Sequence, residues 1–191
     1  MKSDAYFAGN AVFAAFFATF LALPACSFAQ NPPPPAALPT AADAPVLIDE
    51  AGGWRVLSAG RGANKICYVA NQPDAAQPGE RRDPRPMLFV AWRPGNAAQN
   101  VVTFFPAYRF KPAGEALVEF VPPRTGRLFT TPDAAWAATP EDDGALVLGM
   151  RIAHTITIRG LAEDGRAIAD TFSLAGFTAA SARAMLECGV R

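Results

Sequence analysis

The chain has 191 residues, 51% of them hydrophobic, which is room for one ordinary domain plus a targeting segment and too apolar for a disordered chain. Seventeen basic residues balance seventeen acidic ones, so no net field exists to hold DNA, RNA or an anionic membrane surface. A lone histidine, His154, excludes metal sites that need two imidazoles and leaves one base for any serine or cysteine triad.

Residues 1–29 read as a signal peptide. Lys2 gives a minimal basic start, residues 11–23 form an apolar core, and Ser27-Phe28-Ala29 puts small residues at the −3 and −1 positions, so cleavage is expected after Ala29. Gly9, Asn10 and Pro24 interrupt any longer apolar run, and the mature form is expected to carry no transmembrane span. Cys26, within "LPAC", offers lipidation as an alternative to cleavage after Ala29. Residues 30–45, "QNPPPPAALPTAADAP", form an extended proline-rich spacer without apolar periodicity.

The folded domain is expected over residues 46–191 and reads as mainly β. "WRVLS" (54–58), "KICYVANQ" (65–72), "MLFVAW" (87–92), "NVVTFF" (100–105), "ALVEFV" (116–121) and "RLFTT" (127–131) are rich in β-branched and aromatic residues and are bounded by turn formers. They predict a single antiparallel domain, sandwich-like or barrel-like, with two short helices near residues 140–152 and 178–188. For the first helix Thr139 supplies a cap, Pro140 fits the first helical position, and Glu141, Asp142 and Asp143 suit the positive end of the dipole. Between the helices lies a hairpin over residues 154–174. A three-residue turn at Glu163-Asp164-Gly165 pairs Ile156 with Phe172 and puts Ile158, Ile168, Phe172 and Leu174 on one face; a two-residue turn at Asp164-Gly165 mixes polar with apolar. Register follows the face to be buried, so the three-residue turn is expected.

Removal of the leader leaves two cysteines, Cys67 and Cys188. An even count in an exported chain reads as a disulfide. The competing reading is a catalytic cysteine served by His154, but no orienting partner for that histidine is evident and a paired thiol is no nucleophile.

Together these stretches resemble the invasion-associated locus B family of alphaproteobacterial periplasmic proteins. The likeness runs through "GGWRV", "KICYVANQP", "RRDPRPMLFVAWRP", "AYRFKP", "LFTTPDAAWA", "GMRIAHTITIRG", "DTFSLAGFTAA" and the cysteine three residues from the end. No single motif is catalytic; the specificity lies in their order and spacing. The resemblance implies an exported, mostly β single domain in the periplasm or secreted. The family name reflects an association with host-cell invasion, and the family supplies no reaction or binding residues to carry over.

The remaining features have dull explanations as well as functional ones. Arg81, Arg82 and Arg85, in "GERRDPRP", could grip a carboxylate, phosphate or anionic glycan through forked guanidinium contacts, or form a solvated loop neutralised by Glu80 and Asp83. Trp54, Trp92 and Trp136 could make an aromatic platform, although core packing is the commoner fate of such rings. Of the adjacent Phe104 and Phe105, one ring is expected on each face of its strand. Asp170 falls on the apolar face of the expected hairpin and needs a donor there. "EDDG" lacks the spacing of a calcium loop, so no metal is expected. The sequence therefore predicts a non-enzymatic binding or interaction protein of the cell envelope, with no cofactor and with an unidentified protein, or a glycan or other anionic envelope ligand, as partner. One alternative is a structural or stress-related envelope (lipo)protein tethered through Cys26; another is a hydrolase using His154 with Ser58 or Ser173.

Overall fold

Two glycines begin the fold. Gly52 and Gly53 both have positive φ, 55° and 87°, and form a two-residue turn between β1 (Val46–Ala51) and β2 (Trp54–Ala59), a conformation that glycine adopts without steric cost. The computed structural model describes residues 44–73, 85–95 and 99–190, which belong to the unit Leu38–Arg191. The predicted leader, nearly all of the spacer, Cys26, Arg81 and Arg82 lie outside these residues.

From β2 the chain continues as β3 (Ile66–Asn71), β4 (Met87–Trp92) and β5 (Val101–Phe105), each antiparallel to the one before. The order then departs from the sequence. β6 (Glu115–Val121) and β7 (Arg124–Thr130) form a hairpin, and the two-residue β8 (Ala135–Trp136) inserts between β5 and β7. β9 (Thr155–Leu161) pairs with β6, and β10 (Ala167–Ser173) pairs with β9. The result is one ten-stranded antiparallel sheet in the order β1-β2-β3-β4-β5-β8-β7-β6-β9-β10. It is not closed, so the barrel-like alternative does not hold: β1 and β10 remain at opposite ends of the strand order.

The sheet nevertheless folds over one shared core. Phe104 on β5 meets Phe172 on β10 edge to face, with centroids 6.0 Å apart. The Trp54 indole N–H and the Asn71 amide both donate to the Ser173 carbonyl, each at 3.1 Å, which ties the start of the sheet to the end of its last strand. Inward positions alternate along most of the strands: Trp54 and Val56, Cys67 and Val69, Leu88, Val90 and Trp92, Val118 and Phe120, Ile156 and Ile158 are all buried.

The β9–β10 hairpin has the expected register, with Ile156 opposite Phe172 and Ile158 opposite Asp170. Ala162 N–H donates to Arg166 O and Gly165 N–H to Ala162 O, which closes a three-residue turn over residues 163–165 with Gly165 at φ 86°. Ile158, Ile168, Phe172 and Leu174 are buried on one face, and Thr157 meets Thr171 on the other at 2.9 Å.

Helix α1 (Pro140–Ile152) starts as its sequence dictates: Thr139 Oγ1 accepts the Asp142 N–H at 3.2 Å, with Pro140 in the first turn. Asp143 has a further role. Its buried carboxylate accepts the Val102 backbone N–H at 2.8 Å and so fastens the helix to β5. Helix α2 (Phe177–Glu187) starts one residue earlier than the sequence suggested, on Gly176 at φ 85°. Phe177 packs edge to face on Trp54 at 4.9 Å. Gly52 and Gly176 then come into close contact. A Cβ at Gly52 would collide with the Ala175 carbonyl, and one at Gly176 with the Ala51 carbonyl. The β1–β2 turn and the start of α2 therefore touch backbone to backbone.

Candidate binding groove

Cys67 faces the core from β3 and Cys188 caps α2. The structure joins them in a disulfide with Cα atoms 5.8 Å apart, and both residues are buried. Two residues before Cys67, Lys65 Nζ donates to the Glu187 carbonyl at 2.8 Å and to its carboxylate at 2.9 Å. A cation is thus placed at the negative end of α2, and its hydrogen bond holds the Glu187 carboxyl below the usual range. The sulfur bridge and this ion pair fix the same helix end.

The histidine lies elsewhere. His154 is exposed between α1 and β9, its backbone N–H donating to Val121 O. Ser173 lies opposite Thr155 on the neighbouring strand, and its hydroxyl accepts the Ala175 N–H at 3.2 Å. Ser58 sits on β2 opposite Cys67, in a different part of the sheet. Among the described residues no hydrogen bond links the imidazole to either serine, and no group of three His, Cys, Asp or Glu side chains is placed to hold a metal ion. Asp170 is buried on the apolar face, where the register puts it.

The tryptophans divide by face. Trp54 and Trp92 are fully buried, and Trp92 donates its indole N–H to Asn100 Oδ1 at 3.0 Å. Trp136 points to the outer face and meets Phe129 edge to face at 4.7 Å. Phe104 is buried and Phe105 is 45% exposed, so their two rings do lie on opposite faces.

The outer face of β2–β5 carries a second apolar surface. Leu57 pairs across to Tyr68, Ala70 to Phe89, and Met87 to Phe105. Tyr68 and Phe89 lie 5.8 Å apart, Phe89 and Phe105 5.3 Å. At one side this surface deepens into a groove of about 470 Å³ floored by Leu57, Tyr68, Ala70, Met87 and Phe89 and rimmed by Arg55, Arg85 and Gln72. Among the described residues no aspartate or glutamate lines it. Burial pushes the Tyr68 phenol above its ordinary value, and the nearby Arg55 guanidinium partly opposes that rise.

Of the arginine cluster read from sequence, Arg85 borders this groove, and its guanidinium reaches the Pro73 carbonyl at 3.4 Å. The floor residues were not singled out from sequence, yet a signal for them existed. In "ICYV" and "MLFVAW" both alternating sets are apolar, the mark of a strand with two faces to cover, whereas a strand with one wet face alternates apolar with polar.

Neither helix among the described residues is long and apolar enough to cross a membrane. No protein-family model matches the chain, and no curated protein matches it in sequence. One solved structure is similar: invasion associated protein B from Bartonella henselae, with a TM-score of 0.54 over 74% of this chain and 98% of that one, at 14% identity. The likeness is one of fold.

Proposed function

We propose that this protein is an exported, non-enzymatic binding module of the cell envelope whose contact surface is the groove on the outer face of β2–β4. The observation that carries this reading is the groove itself. Its apolar floor and its rim carrying Arg55 and Arg85 form a surface that a domain with a filled core has no structural need to expose. Export fits the buried Cys67–Cys188 bond, since such bonds persist in oxidising compartments. The fold shared with invasion associated protein B is consistent with the family resemblance seen in the sequence.

The mature chain, used as bait against solubilised envelope fractions, is expected to retain a reproducible partner. A Phe89→Ser/Arg85→Ala variant with unchanged Tm is expected to lose it. Recovery of the same material by both proteins would refute the groove as the contact surface. Intact-mass measurement of the exported protein addresses its address in the cell: an N-terminus at Gln30 is expected, and an acylated Cys26 would instead support the tethered alternative.

A further inference from the structure

The groove also indicates what chemistry it would hold. Resting on the binding role proposed above, we infer that the groove takes a monomeric anionic amphiphile, its carboxylate or phosphate head between Arg55 and Arg85 and its apolar body along Leu57, Met87 and Phe89.

Three observations favour that class. The first is charge: among the described residues Arg55 and Arg85 rim the groove and no carboxylate lines it. Arg85 has no carboxylate partner among the described residues, while Arg55 contacts Glu50 at 3.3 Å with both side chains more than half exposed, a pair that an incoming anion can displace. The second is the shortage of free polar groups on the floor. Asn71 lies there, but its amide donates to Ser173 O and its carbonyl oxygen accepts the Gln72 N–H, so it has little left for the many hydroxyls of a sugar. The rings do not form a flat stacking platform either: Phe89 and Phe105 stand at 88°, Tyr68 and Phe89 at 46°. The third is backbone pairing. β2, β3 and β4 each have a hydrogen-bonded strand on both sides, so an extended peptide finds no open ladder in the groove. An apolar body with one anionic end meets all three constraints, and about 470 Å³ is within the usual size of a small-molecule site.

The test uses dodecanoate below its micelle concentration, titrated calorimetrically into the folded, disulfide-intact mature protein. One saturable site per chain is expected. Acetate, which lacks the apolar body, and dodecyltrimethylammonium, which reverses the charge, are expected not to bind. Arg85→Ala should weaken binding about tenfold, the loss of one charge-assisted contact. Glu50→Gln should tighten it a few-fold by releasing Arg55, an effect that a purely structural role for Glu50 would not give. Equal binding of the cationic detergent, unchanged affinity in Arg85→Ala, or binding only to phosphatidylglycerol vesicles and never to monomers would overturn the inference. A protein that ignores dodecanoate yet still captures its envelope partner through Phe89 and Arg85 would retain the binding role and lose this ligand class. Failure of both measurements would remove both.

Discussion

The Asp143 carboxylate accepts the backbone N–H of Val102 at 2.8 Å, so the first turn of α1 supplies a hydrogen bond to β5. Because β8 is only two residues long, β5 has little strand pairing on that side: Thr103 and Phe104 alone meet β8. An acidic side chain from a helix completes what the sheet leaves open.

Asp143→Ala should therefore destabilise the fold by about 1–3 kcal/mol, the range for leaving a buried donor unsatisfied. Denaturant unfolding at neutral pH would measure the loss, and a change below about 0.5 kcal/mol would show that solvent replaces the carboxylate.

The same residue gives a pH signature of definite sign. Burial, against the opposing pull of the Val102 N–H, raises the Asp143 carboxyl above its ordinary 3.8. The native state thus holds this proton to higher pH than the unfolded chain, and stability contributed by the protonated form is lost as pH rises from 3.8 through the native value. Asp143→Asn, which cannot ionise, should gain on the wild type across that window and level off above it. Thermal melts between pH 3 and pH 7 would show this; a difference that runs the other way would place the Asp143 pKa below normal.

Glu187 behaves oppositely. Lys65 depresses its pKa below 4.5, so the stability it adds is present above that value and lost as pH falls through the native one. Glu187→Gln should cost on the order of 1 kcal/mol at pH 7 and converge on the wild type in acid, since the pair is only partly exposed. High salt should shrink that difference, because the variant keeps the Lys65 bond to the Glu187 backbone carbonyl and loses mainly the charge.

Gly52→Ala and Gly176→Ala should each cost about 2–4 kcal/mol, from left-handed strain plus overpacking of backbone against backbone. The two turns share one contact, so the double variant should lose less than the sum of the singles. Additive losses in a double-mutant cycle would mean the turns act independently.

Removal of the disulfide by Cys67→Ala/Cys188→Ala should lower stability by about 2–5 kcal/mol. Reduction of the wild-type protein should reproduce most of that loss, and identical melts with and without reductant would refute it.

The parts of this fold that were legible in the sequence are those with a strong local rule. Thr139-Pro140 starts α1, Asp164-Gly165 turns the last hairpin, and the apolar set Ile158, Ile168, Phe172 and Leu174 selects its register. β1 was not legible because, as an edge strand, it has hardly any buried face: Val46 is 59% and Leu47 46% exposed. β8 is too short for any period, and its insertion between β5 and β7 depends on long-range pairing that no local pattern encodes. The groove was only partly visible. Arg85 stood out by charge, whereas Tyr68 and Phe89 read as ordinary strand residues until the sheet showed which face they occupy. Asp143 was read as a dipole partner; its second role required knowing that Val102 lay within reach.

The two bridged sulfurs are 121 positions apart, the later one at the end of α2. A ribosome must therefore make everything from β3 to the end of α2 before oxidation can knit the two. Until then nothing covalent holds α2 over the opening strands, and any chain truncated before Cys188 has no means of acquiring the bond.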